Sequence, residues 1–270
     1  MKKKLSVLVK QECWSLVTGI TYAQVSSWYD AAYRDLMLSI IMPKRRNKEK
    51  RYPLMVWICG GAFQVMDQDV WLPQWAEFAR QGYIVASVEY RTSNEAPFPA
   101  ALQDVKAAVR YLRAHAERFG VDPNRVIAAG ESAGGCLAGL LGVYGQNRSY
   151  DVGEFLEYSS EVQGVVDYYG VTDFWMEGKI DADLKNAGED FIGKGTPPFL
   201  ILHGDQDELV PIEQSQILYE KLCKKGIPAD FYVLKGCGHG ADEFYQTEIM
   251  ELVKGFIDKC REQKRYADNR

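Results

Sequence analysis

From about Tyr52 onward, apolar runs of strand length alternate with segments whose apolar residues recur at i, i+3 and i+4. Strands are predicted at Pro53 to Cys59, Tyr83 to Tyr90, Arg125 to Ala129, Gln163 to Tyr169, Pro198 to His203 and Asp230 to Lys235. Helices are predicted at Gln74 to Gln81, Pro99 to Phe119, Ala133 to Gly145, Ile212 to Lys225 and Phe244 to Cys260. The longest shows the helical period best: Leu102, Val105, Ala108, Val109 and Leu112 form one face, and Asp104, Lys106, Arg110 and Arg113 are expected on a polar face. Gly120 follows it as a terminating C′ glycine would. Such alternation implies an α/β fold, a mostly parallel sheet with helices on both faces.

The first fifty residues have a different pattern. Arg34 to Met42 and Leu5 to Lys10 read as antiparallel edge strands, and the stretch from Trp14 to Tyr33 is rich in aromatic residues expected to form core or a packed arm. No repeat or linker divides the chain, so a single domain is expected over 1–270, with N-terminal strands and arm to 50, a core over 51–260 and a fraying tail over 261–270.

Composition narrows the classes of function. With 32 Lys and Arg against 37 Asp and Glu, the 270-residue chain has a net charge of −5, and 47% of it is hydrophobic. That is a globular composition without the basic excess that nucleic acid or an anionic membrane surface rewards, so neither is an expected partner. The apolar runs are too short for a membrane helix. The start, MKKKLSVLVK, lacks a full apolar core and cleavage site, so a cytoplasmic location is expected. Six scattered cysteines, with no C-x-x-C pair, read as buried free thiols, and with three histidines no metal site is expected.

The richest segment is Asn124 to Leu141, which contains Gly130-Glu131-Ser132-Ala133-Gly134. This G-x-S-x-G lies between a strand and a small-residue helix, where a nucleophile elbow would sit. Glycines flank the serine because the turn is too tight for Cβ atoms there. Ser132 would stand above the N-terminus of the following helix, whose N–H groups suit a developing oxyanion. The base must come from His115, His203 or His239. His115 falls within a helix and reads as a surface residue, and His203 ends a buried strand. His239, in the glycine-rich loop Lys235-Gly-Cys-Gly-His-Gly240, is the choice by elimination. The orienting acid should lie between serine and histidine in chain order. Asp205 and Asp207 both qualify, and Asp207, further along the turn, is preferred. Gly60, Gly61 and Ala62, directly after the first parallel strand, are the candidate oxyanion donors together with Ala133.

As a set, CGGAF, GESAGG, YYGVTDF, PPFLILHGDQDELVP and GCGHG resemble the α/β-hydrolase superfamily, and within it the hormone-sensitive-lipase-like carboxylesterases and the bacterial feruloyl/acetyl-esterase-like (BD-FAE-like) enzymes. The resemblance implies an α/β-hydrolase fold and a cofactor-independent serine esterase with Ser132, Asp207 and His239 as nucleophile, acid and base, acting on short-chain or aromatic acyl esters, including those of saccharides. It also departs from the pattern: Cys59 stands where the family carries a histidine. The polar stretch from Asp173 to Thr196 is short, so little or no cap and an open site suited to a bulky alcohol are expected. Two alternatives stay open, a serine peptidase of the prolyl-oligopeptidase-like branch and a non-catalytic ligand-binding relative. The aromatic N-terminal segment could cap a neighbour's site, which would make the protein a homodimer.

Overall fold

The computed structural model describes residues 1–10, 12–27, 31–44, 49–172 and 192–267. Their eight strands are β1 (Trp14–Ser26), β2 (Tyr33–Pro43), β3 (Tyr52–Ile58), β4 (Ile84–Val88), β5 (Val121–Glu131), β6 (Gly164–Tyr168), β7 (Phe199–Gly204) and β8 (Ala229–Leu234). They form one sheet in the order β1-β2-β4-β3-β5-β6-β7-β8. β1, β2 and β4 pair antiparallel, and every pair from β4 to β8 is parallel.

β3 explains the layering. All seven of its residues are buried. Leu54, Val56 and Ile58 face one apolar layer, built with α2 (Ala100–Ala114), α4 (Ala133–Tyr144) and α5 (Glu213–Lys224). Met55 and Trp57 face the other, built with α1 (Leu72–Arg80) and α6 (Thr247–Ala267). A strand whose successive side chains enter two cores must be apolar throughout, which is why it reads as an unbroken run. Because the strands are parallel, the carboxyl ends of β3, β5, β6, β7 and β8 lie along one edge.

Several expectations need correction. Residues 1–10 form no strand, and Leu5, Val7, Leu8 and Val9 are exposed. The outer strand is β1, within the expected aromatic arm; Tyr22 is buried, and Trp14 meets Tyr52 edge-on with centroids 5.4 Å apart. Trp28 and Tyr29 lie outside the described residues. The pairing of β1 with β2 shifts register between Val17 and Ile20, where Gly19 has φ +68°, and again between Thr21 and Ala23. These irregularities hide the alternation of a strand.

Secondly, the helix expected over Pro99 to Phe119 breaks at His115 into α2 and the short α3 (Ala116–Phe119), which Gly120 closes in the left-handed conformation. His115 is half-buried rather than a surface residue, its ring 4.3 Å from that of Tyr111. Asp104, Lys106 and Arg110 are buried, not a solvated face. Asp104 takes a two-pronged ion pair from Arg91. Lys106 Nζ donates to the carbonyls of Tyr144 at 2.7 Å and Asn147 at 2.9 Å, capping the end of α4, and with Arg110 it pairs with Asp151. Burial lowers the pKa of both cations. Periodicity counts apolar positions and is blind to charges whose partners come from distant loops.

Thirdly, two of the six free cysteines, Cys13 and Cys223, are exposed. α6 also runs on to Ala267, past the expected fraying point. The segment from 173 to 191, where an open site was expected, lies outside the described residues. No helix among the described residues is long and apolar enough to cross a membrane.

Asp167 on β6 is a buried carboxyl with half its hydrogen bonding unmet. Oδ1 accepts from Gly170 N–H at 2.8 Å, whereas Oδ2 has no partner among the described residues. Burial raises its pKa to about 7. An unfolded aspartate titrates near 3.9. The native state therefore holds the extra proton between these values, and stability falls as pH rises from about 4 to about 7 and is level above. The melting temperature of Asp167→Asn is expected to gain several degrees relative to the parent between pH 4.5 and pH 8. A difference constant with pH, read by calorimetry, would remove Asp167 as the cause.

Candidate active site

Ser132 joins β5 to α4 with φ 54° and ψ −120°, a conformation that costs a non-glycine residue about 1–3 kcal/mol. Its surroundings impose that geometry. A Cβ on Gly130 would lie 2.3 Å from the Gly134 carbonyl oxygen, and one on Gly134 would lie 1.9 Å from that of Ile58. Ser132 N–H donates to the Tyr168 carbonyl at 2.9 Å, which ties the elbow to β6. The side chain is thereby lifted over the first turn of α4, where backbone N–H groups lack intrahelical partners.

The loop after β3 runs beside it. Gly61, Ala62 and Phe63 have φ values of 128°, 54° and 60°, and a Cβ on Gly61 would lie 1.9 Å from Val65 O. The Gly61 carbonyl accepts from Gln64 and Val65 N–H, closing the turn. Gly60, expected among the oxyanion donors, does not offer its N–H to the site: that group donates to Glu131 Oε1 at 2.8 Å. The amides of Gly61, Ala62 and Ala133 remain the candidate donors, the last in the opening turn of α4. Cys59 does not hold this loop with its side chain. Its buried Sγ is 4.0 Å from Ser87 Oγ, and burial pushes the thiol up to about 12, too high for it to ionise or react. The loop is held by Tyr90, whose hydroxyl donates to Cys59 O, and by Ser93 and Asn94, which donate to Phe63 O and Gln64 O.

Beyond β7, Asp207 Oδ1 accepts from Leu209 and Val210 N–H, both at 2.9 Å, and Oδ2 lies 2.7 Å from His239 Nδ1. The Asp207 side chain is wholly shielded and that of His239 slightly open. A carboxylate accepts, so Nδ1 carries the proton and Nε2 is left basic. His203 has a structural role. Buried, it donates from Nε2 to Val210 O and accepts at Nδ1 from Ser215, and burial lowers its pKa so that it stays neutral. Asp205 holds Gly236 N–H at 2.6 Å instead of a histidine.

Tyr169 links the two halves. It follows Tyr168, which binds Ser132 N–H; its ring centroid is 4.6 Å from that of His239, and its hydroxyl is 3.3 Å from Glu131 Oε2. Trp71 stacks on Tyr245 at 4.1 Å and donates its indole N–H to Glu131 Oε1 at 3.3 Å. Glu131, Tyr169, Trp71 and Tyr90 were not singled out from sequence. The available signals were slight: Tyr169 stands in YYGVTDF, and Glu131 is a charged residue inside an otherwise small-residue motif.

The sequence profile of the BD-FAE family matches residues 38–193 and 185–222. Among curated proteins, Esterase LipC of Mycobacterium tuberculosis is 28% identical over 218 residues, covering 72% of this chain and 54% of that protein. Esterase LipQ of the same organism is 26% identical over 255 residues, covering 85% and 60%. This chain thus spans about half the length of the curated relatives it matches. Among solved structures, a truncated carbohydrate esterase from gut microbiota superposes with a TM-score of 0.76 at 26% identity, covering 94% of this chain and 98% of that one. Thermogutta terrifontis Est2 with butyrate bound gives 0.77 at 25% identity, covering 90% and 93%.

Proposed function

The chain belongs to the BD-FAE family and has the α/β-hydrolase fold, and from that premise we propose that it is a serine carboxylesterase acting through an acyl-enzyme. The observation that carries this reading is the contact of His239 Nδ1 with Asp207 Oδ2, on the same sheet edge as a serine held at a strained positive φ. In the proposed reaction, Ser132 Oγ attacks the ester carbonyl carbon while His239 Nε2 takes its proton. The amides of Gly61, Ala62 and Ala133 bind the resulting oxyanion. As the tetrahedral species collapses, the C–O bond to the alcohol breaks and Nε2 protonates the departing oxygen. Water then attacks the acyl carbon, gives its proton to Nε2 and releases the carboxylic acid, and Ser132 recovers its proton.

For substrate we propose short-chain or aromatic acyl esters, including acyl groups carried on saccharides. The family match, the likeness to a carbohydrate esterase and the likeness to an esterase that binds butyrate support this. Val65, on the loop after β3, and Leu209, two residues from Asp207, are exposed apolar side chains. A panel of acetyl, butyryl, octanoyl and hydroxycinnamoyl esters is expected to give its highest kcat/KM on acetyl, butyryl or hydroxycinnamoyl members. Preference for octanoyl would overturn the substrate class. Cleavage of peptidyl anilides in place of esters would favour a peptidase. Ligand binding without labelling by a fluorophosphonate would favour a non-catalytic relative.

A further inference from the structure

Resting on the esterase reading above, we propose that Glu131 is a positioning residue that sets the oxyanion loop against the nucleophile and the base. The chain makes Glu131 the residue before Ser132, so its backbone moves with the elbow. Its side chain turns to the neighbouring strand and meets three donors. Oε1 takes Gly60 N–H at 2.8 Å and Trp71 Nε1–H at 3.3 Å, and Oε2 takes Tyr169 O–H at 3.3 Å. Each donor belongs to a different part of the site: the oxyanion loop, the start of α1, and the segment whose ring lies against His239. One carboxylate thus registers three elements that sequence separates widely.

Two further observations fix the contact. A Cβ on Gly60 would lie 2.9 Å from both Glu131 O and Glu131 Oε1, so the loop is packed directly on this residue. The side chain before Gly60 adds no hold of its own, because Cys59 Sγ lies against Ser87; that residue is held only through its carbonyl, by Tyr90. Donors on both oxygens satisfy the half-buried carboxylate and fix its side chain in one orientation. Glu131 touches no reacting atom and acts through the amides it aligns. Misplacing such a donor by about 1 Å costs on the order of 10²-fold in rate.

The test compares Glu131→Gln with Glu131→Ala in the full chain, with kcat and KM on p-nitrophenyl acetate and circular dichroism to confirm folding. A glutamine oxygen still accepts from Gly60 and Trp71, and its amide can donate to Tyr169. Glu131→Gln is therefore expected within about tenfold of wild type, and Glu131→Ala to lose about 10²-fold in kcat with KM changed by less than about threefold. The proposal is overturned if Glu131→Ala keeps kcat within threefold, or if glutamine and alanine fall alike, which would make charge and not placement the cause. Should Glu131→Ala fail to fold, the double variant Trp71→Phe, Tyr169→Phe leaves an aromatic ring at each position, smaller at 71, and releases two of the three bonds. It is expected to lose about tenfold in kcat, and an unchanged kcat overturns the proposal. A wild-type protein that turns over no ester defeats the esterase reading, whereas an active wild type with unaffected variants defeats only the role of Glu131.

Discussion

Ser132→Ala is expected to lower the turnover of p-nitrophenyl acetate by about 10³-fold or more, with the melting temperature held within a few degrees. The two halves of this result belong together. Alanine inherits the backbone at φ 54°, the tight approach of Gly134 to Ile58, and the bond from residue 132 N–H to Tyr168 O. Only Oγ is removed, so a loss of rate reports on chemistry and not on folding. The residue of activity that remains comes from the oxyanion donors and substrate binding, acting on water in place of the serine. Wild-type turnover by the variant, with labelling by a fluorophosphonate retained, would remove Ser132 from the mechanism.

The second large effect is expected at Asp207. Its shielded carboxylate has four calls on it: Leu209 N–H, Val210 N–H, His239 Nδ1–H at 2.7 Å and, more distantly, His203 Nε2 at 3.4 Å. In Asp207→Asn the carbonyl oxygen still satisfies the two backbone amides. The amide NH₂ must then face His239 Nδ1, which can only accept it by giving up its own proton. The ring changes tautomer, Nε2 becomes the protonated nitrogen, and the base is lost without any change of shape. Such a change is expected to lower kcat by on the order of 10³–10⁴-fold with KM little altered. Asp205→Asn is the internal comparison. Asp205 Oδ1 holds the Gly236 amide in the same pair of loops, so its loss is expected to cost less than about tenfold. If the two variants fell alike, the loops and not the tautomer would be what Asp207 supports.

Much of this architecture was legible because the signals were local. β3, β4, β6 and β7 are buried runs bounded by turns, and the elbow is written in consecutive letters whose glycines the packing demands. The placement of His239 against Asp207 followed from chain order and from there being few histidines. What was hidden depends on partners far along the chain. Lys106 and Arg110 look solvated until Asp151 and the carbonyls after α4 are brought to them. β1 looks irregular until β2 supplies a register to which its bulges can be referred. Glu131 drew no attention as a variable position of a motif, because its importance lies in Gly60, Trp71 and Tyr169, none of which is near it in sequence.

The irregular course of β1 has a consequence for the protein in concentrated solution. A sheet that ends on thirteen residues of strand would offer a long template to any other chain in search of hydrogen-bonding partners. Two register shifts and left-handed Gly19 cut that template into short runs with different twist. An arriving strand can align with one run, Trp14 to Val17 for instance, and is then misaligned with the next. Growth of sheet upon sheet is thus interrupted within a few residues of its start, and the molecule can leave an open edge in water without inviting fibrils.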